Sequence, residues 1–260
     1  MLKIIIIPIY KKKPTLLEKA SITQCFKILG DHKISFIAPI DLDLTFYEEL
    51  LNQKVIAERF DNHYFEGISG YNDLMLSKDF YERFLEYEFM LIYQPDCYVF
   101  RDELDFWCQQ GYDYIGAPWL FEEYYKLPIL RRKLIYLNNK YNFYHNPEKL
   151  TREDIYLKVG NGGFSLRRVK KFIKALDNKY IELFKSNDNA SVYNEDVFWS
   201  IIAKDIKKPT LEIGSRFSLD PGARRGLAIN YNQLPFGCHA WDRDINFWKQ
   251  FINLETINSN

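Results

Sequence analysis

The sequence is short of several things, and each shortage removes a class of protein. Its 260 residues hold only four cysteines, Cys25, Cys97, Cys108 and Cys238, with no Cys-x-x-Cys pair. Neither a zinc framework nor a disulfide scaffold follows, and reduced thiols of a cytoplasmic protein are the simplest reading. Charge of either sign is in no excess, since Lys+Arg and Asp+Glu are 35 each. A nucleic-acid binder would carry a basic surplus to neutralise phosphates, so that class is set aside. Long apolar runs are missing too. Ile4 to Ile7 is too short for a membrane span and lacks the small-residue cleavage site of a leader. There is no Gly-x-Gly-x-x-Gly and no Gly/Lys phosphate loop, so no dinucleotide fold or NTPase is indicated. No internal repeat or low-complexity linker divides the chain, which reads as one domain over 1–260.

What is plentiful is aromatic. Tyr and Phe number 19 and 20, a surplus open to two readings, a genome base composition that also enriches Ile, Lys and Asn, or stacking surfaces in a binding groove. The first sixty residues alternate strand and helix. Leu2 to Ile9 is a near-continuous apolar run, the profile of a buried parallel strand. Leu16 to Leu29 has helical spacing, with Thr15 able to cap it and Gly30 to stop it. Ile34 to Pro39 and Val55 to Phe60 read as strands, with a short helix from Phe46 to Leu51 between them. This order predicts an α/β fold with a mixed, mainly parallel sheet flanked by helices. Ligands of such sheets bind beyond the carboxyl ends of strands. The loop from Ile9 to Thr15 is then a candidate ligand wall, with Lys11, Lys12 and Lys13 suited to a diphosphate or simply forming a solvated face.

The stretch from Leu91 to Phe100 is the most informative. An apolar run is broken by Pro95 and Asp96 and then continues. Pro95 cannot donate to a ladder, so the strand must loosen there and aim one carboxylate into a cleft or cap a turn. Before it, Gly67 to Asp79 reads as a loop entering a helix that continues towards Tyr87. Gly111 to Trp119 reads as a strand running into a turn, and Val159 to Arg167 as a glycine-rich loop letting backbone approach a ligand. Val169 to Phe184 reads as one helix, Lys208 to Phe217 as a strand, Asp220 to Gly226 as a polar turn, and Asp242 to Phe251 as a closing helix. Asn194 precedes Glu195 and Asp196 as a helix cap precedes first-turn acids. Residues 121–150 form a basic and aromatic insertion, fit for a partner surface, a membrane-surface contact or an ordinary solvated excursion.

Taken in order, these segments resemble nucleotide-sugar glycosyltransferases of the GT-A type, and more narrowly a group of bacterial glycosyltransferases known mainly from sequence. The matching pieces are Pro8-Ile9-Tyr10 with Glu18 in the next helix, Tyr93-Gln94-Pro95-Asp96, Gly116-Ala117-Pro118-Trp119, Asn161 to Arg167, Asn194 to Trp199, and Phe236-Gly237-Cys238-His239-Ala240-Trp241. The resemblance spans most of the chain apart from the insertion. It implies a GT-A-like single domain and a hexosyltransferase-like enzyme of polysaccharide biosynthesis. The donor is a nucleoside-diphosphate sugar with UDP expected, and the acceptor a glycan or lipid-linked saccharide.

The same resemblance assigns Pro8, Tyr10, Gln94 and Asp96 to the donor, and Asn161, Gly162, Gly163 and Trp119 to the sugar or acceptor. A divalent metal, Mn²⁺ or Mg²⁺, falls to Asp96 and His239, because hard oxygen ligands and phosphates suit these ions. The family's Asp-x-Asp is here Asp96-Cys97-Tyr98, without its second acid. Asp196 is the expected general base of an inverting transfer, with Glu195 its neighbour. Location follows as cytoplasmic, peripheral at the inner face of a membrane through 121–150. Two other classes stay open: a non-catalytic nucleotide- or carbohydrate-binding protein on the same fold, and a phosphoryl- or nucleotidyl-transfer enzyme on a similar sheet.

Overall fold

The computed structural model describes residues 1–141, 145–187, 189 and 192–253. Parts of two expectations, residues 142–144 within the insertion and 254–260 of the domain, lie outside the described residues. At the centre is a six-stranded sheet in the order β3-β2-β1-β4-β7-β6. Its strands are β1 (Lys3–Pro8), β2 (Lys33–Pro39), β3 (Ala57–Phe60), β4 (Phe89–Tyr93), β6 (Tyr114–Pro118) and β7 (Val159–Arg168). The first four are parallel, and β7 runs antiparallel to both β4 and β6. A small sheet, β5-β9-β8, is made by β5 (Tyr98–Val99), β8 (Ser218–Leu219) and β9 (Gly237–Cys238).

The isoleucine run explains the centre. Along β1, Ile4 and Ile6 enter one hydrophobic cluster while Ile5 and Ile7 enter the other. A strand covered on both faces can be apolar at every position. The helix Leu16–Leu29 covers one face with Ile22, Cys25 and Leu29. It starts where Thr15 and Glu18 cap each other's backbone. After β1 the chain turns to one side for β2 and β3, then returns across to β4 on the other. The carboxyl ends of β1 and β4 therefore form the switch point at which open α/β sheets hold ligands. All four cysteines are buried free thiols, and no described helix is long and apolar enough to cross a membrane.

Several local expectations are corrected. The glycine-rich Val159–Arg167 segment is no loop but most of the ten-residue strand β7. Its glycines thin the strand so that bulky side chains can press on it. The apolar run after Asp96 does resume, but in the small sheet, because the turn at Gln94–Cys97 swings the chain so that Tyr98 pairs with Cys238. Gly67–Met75 is a helix rather than a loop, followed by a second, Lys78–Glu82, capped by Ser77. The helix expected over Val169 to Phe184 is two, Val169–Ala175 and Ile181–Ser186, parted where the Asn178 side chain accepts from Tyr180 N. Lys208 to Phe217 is not a strand: Leu211–Phe217 is helical, with Gly214 letting it close on Val159. The polar turn at Asp220 ends by Gly222, and Ala223–Ile229 is a helix. The closing helix is a 3₁₀ turn, Trp241–Asp244, and one α-turn, Ile245–Trp248.

Candidate functional site

A cleft of about 740 Å³ opens at the switch point. Pro8 and Tyr10 reach it from the end of β1, and Gln94 and Asp96 from the turn after β4. Asn161, Gly162 and Gly163 come from β7, and Trp119 from just beyond β6. Glu195, Asp196 and His239 complete the set, so every residue that the resemblance assigned to donor, sugar, metal or base lines this one cleft. Of the three loop lysines only Lys11 lines it, paired with Glu18 at 2.7 Å. Lys12 turns to Asp43 and Lys13 lies over Phe46, so the expected three-lysine wall is not formed.

One side of the cleft is a chain of acid and imidazole. His239 Nε2 lies 3.2 Å from Asp96 Oδ1 and 2.9 Å from Gln94 Oε1, and Nδ1 is 2.9 Å from Asp220 Oδ2. The same Asp220 oxygen accepts from Asn161 Nδ2 at 2.6 Å. Burial opposes a charge on His239, but Asp96 and Asp220 on either side raise it to about 10. Burial likewise works to raise Asp96, and the adjoining imidazolium overrides it and holds the carboxyl below the usual range. The two carboxylates thus favour the protonated ring, and a metal on Nε2 would take that proton's place.

The other side is an acidic pair with unequal surroundings. Glu195 is buried, and its Oε1 takes a 2.9 Å ion pair from Arg167 Nη2. Arg167 is itself fully buried, donates to Tyr81 Oη and Ser165 Oγ, and lies over the Tyr114 and Phe172 rings. Asp196 keeps an accessible edge and accepts from Gly162 N at 3.3 Å and Val197 N at 2.8 Å. Burial in the cleft and the Glu195 charge raise its carboxyl to about 7 against those two hydrogen bonds. The expected cap is different from what is found. Asn194 makes no capping bond and instead accepts from Asn72 Nδ2, while Asn72 Oδ1 receives Glu195 N.

Gly162 and Gly163 explain how both sides meet one strand. Adjacent residues of a strand point to opposite faces. A Cβ on Gly162 would stand 2.4 Å from Glu195 Oε1, and one on Gly163 would stand 2.2 Å from His239 Nε2. Bare backbone is all that fits between the acidic pair and the imidazole. Sequence reasoning read these glycines as an approach for ligand, and missed Asp220 and Arg243 altogether. Asp220 sat in an Asp-Pro-Gly string that looks like any turn, and Arg243 in a charged one; both line the cleft.

A divalent ion can be tested against these donors. Among the described residues no group of three or more His, Cys, Asp or Glu forms a metal position. The pieces for a partial one are there. A carboxylate fixing Nδ1 so that Nε2 points at a second carboxylate and an amide oxygen is the arrangement of metal-ligating histidines. Asp96, His239 and Gln94 Oε1 fit one Mn²⁺ or Mg²⁺ whose other positions are filled by phosphate oxygens and water.

Solved structures place the fold. The galactosyltransferase LgtC, in complex with donor and acceptor sugar analogues, is similar with a TM-score of 0.61 at 12% identity, over 98% of this chain and 94% of that one. Mouse xyloside xylosyltransferase 1 gives 0.52 at 11% identity, over 90% and 96%. GlyE of Streptococcus pneumoniae TIGR4 gives 0.55 at 13%, over 98% of this chain and 62% of that one. The architecture is that of the GT-A glycosyltransferases. The chain itself belongs to the family DUF5672, described as protein of unknown function, which matches residues 54–239. That span holds Asp96, Gly162, Gly163, Glu195, Asp196, Asp220 and His239. No curated protein matches the chain in sequence.

Proposed function

We propose that the protein is a glycosyltransferase that moves a sugar from a nucleoside-diphosphate sugar, UDP being the expected nucleotide, to a glycan or lipid-linked saccharide. The observation that carries this is the cleft itself. At the switch point of a GT-A sheet it sets a carboxylate–imidazole pair on one side of β7 and a carboxylate raised to about 7 on the other. The fold is shared with LgtC, which is described with donor and acceptor sugar analogues, and the same two kinds of ligand are assigned here.

Asp96, His239 and Gln94 are assigned to the diphosphate end, with Arg243 beside them, and Pro8 and Tyr10 to the nucleotide. When bound, a divalent ion there supplies positive charge against the leaving phosphate. Asp220 keeps the imidazole oriented, and Arg167 keeps Glu195 folded under Asp196. Asp196 takes the proton from an acceptor hydroxyl, whose oxygen bonds the anomeric carbon as the bond to the diphosphate breaks and the nucleoside diphosphate leaves. Attack opposite the leaving group inverts the anomeric centre. Asn161, the bare backbone of Gly162 and Gly163, and Trp119 frame the sugar.

Calorimetry with UDP, UDP-sugars and GDP-sugars, with Mn²⁺ and with chelator, tests the donor site. Binding of one nucleotide sugar that strengthens with metal is expected, and no heat at millimolar ligand would remove the reading. One feature favours a second reading, a non-catalytic nucleotide- or carbohydrate-binding protein: Tyr98 stands where the metal motif has its second acid. Donor binding without any sugar transfer or hydrolysis would select it.

A further inference from the structure

The insertion carries a helix that is built inside out. Ile129–Tyr141 buries Ile135 and Asn139, one turn apart. Asn139 Nδ2 donates to Glu153 O at 2.9 Å and Tyr156 O at 2.8 Å, and Ile135 packs with Tyr124 and Tyr156. The polar side chain thus moors the helix, and the leucines are turned to solvent. Leu130 is 71% exposed, Leu134 61% and Leu137 44%, and Tyr141 extends the row at 56%. Spacings of four, three and four residues lay these side chains in one stripe, about 16 Å long at the helical rise. Ile129, 65% exposed, stands at its start.

The helix contains no acid and has Arg131, Arg132, Lys133 and Lys140 in its thirteen residues, in a chain whose charges balance as a whole. Arg131 is held by Glu153 at 2.7 Å. Lys133 and Lys140, two turns apart, border the stripe along one flank. We propose that this helix docks on an anionic phospholipid surface, its leucine stripe in the interfacial layer and the two lysines at the headgroups. An apolar stripe bordered by cations is the design of helices that lie in a membrane interface. A second copy of the chain is the poorer occupant. Two such helices face to face would oppose basic flanks with no acid on either to answer them. Five apolar side chains are also few against the roughly 20–30 residues a side of a standard protein interface.

The docked helix sits next to the cleft. The turn Arg152–Ile155 supplies Arg152 and Ile155 to the cleft wall, while its Glu153 receives both Asn139 and Arg131. Membrane docking would therefore hold the wall of the cleft close to the surface at which a lipid-linked saccharide is presented. This last step rests on the transferase reading; the docking does not.

Flotation of the full chain with vesicles tests the docking without any sugar. Binding to phosphatidylcholine containing phosphatidylglycerol should exceed binding to phosphatidylcholine alone by about tenfold, and fall as salt is raised. Leu130→Ser/Leu134→Ser/Leu137→Ser should stay folded by circular dichroism and no longer float. Lys133→Glu/Lys140→Glu should lose the preference for anionic vesicles. Tyr231→Ser, at an aromatic 88% exposed elsewhere, should float like the unaltered protein. No flotation of the unaltered protein, or equal flotation of the leucine variant, would overturn the proposal. So would a dimer in light scattering that needs the leucines while vesicles are ignored, since the face would then belong to a second copy. Donor calorimetry on the same preparations separates the two claims: flotation without donor binding removes only the transferase reading, and donor binding without flotation only this one.

Discussion

Asp196 shows how a carboxyl can be held in a cleft at a cost to the fold. Its value of about 7 stands above the ordinary 3.8, so the folded protein holds that proton more tightly than the unfolded chain does. Stability from this group is complete below about 3.8 and is lost as pH rises through about 7. Asp196→Asn removes the ionisation and keeps the acceptor oxygen. The variant should melt a few degrees above the unaltered protein at about pH 8, with a clearly smaller advantage at about pH 5. Thermal melts at the two pH values check this. A helix-start role alone predicts the opposite, a variant less stable at both. Glu195 is a different case. Arg167 answers its charge inside the core, where an unpaired ion would cost about 3–5 kcal/mol, so this acid reads as support for its neighbour.

At the scale of elements, β7 is the part on which both halves of the site depend. Gly163→Ala would put a methyl group on the His239 ring, 2.2 Å from Nε2 where the ring now lies. Backbone pairing of β7 with β4 and β6 does not need to change, so the ring must move away from Asp96. Metal-dependent donor binding should fall by about tenfold or more while the circular dichroism spectrum is kept, a loss of the order of one hydrogen-bonded charge contact. Unchanged metal and donor affinities in titration would show that the glycine serves the fold alone. This strand also marks where sequence reading stops. β1, β2 and β4 were legible because apolar runs covered on both faces have no other use. The glycines of β7 are indistinguishable, in a string of letters, from those of a loop. Their reason is the Glu195 and His239 side chains, which arrive from segments more than thirty and seventy residues away. Asp220 was hidden in the same way, since its partner His239 lies nineteen residues on.

For the whole molecule, the order of the segments proved more informative than any one of them. Asp96 alone is a turn residue, Glu195-Asp196 alone a helix start, and His239 alone a buried histidine. The α/β start sets a switch point between β1 and β4, and the cleft at that point gathers all of them. What the order did not convey was the chemistry behind the cleft: the Arg167 support, the Asp220 brace and the leucine face of the insertion. The central claim is sugar transfer with Asp196 as base. Its most direct measurement is turnover of the nucleotide sugar that calorimetry selects, with a glycan or lipid-linked acceptor, followed by nuclear magnetic resonance of the new anomeric centre. The account predicts an inverted product, an acidic limb of the rate near pH 7 from Asp196, and a fall of about 10²–10⁴-fold in Asp196→Asn with donor binding intact. Glu195→Gln should be milder. Near-normal turnover in Asp196→Asn, or a product of retained configuration, would contradict it.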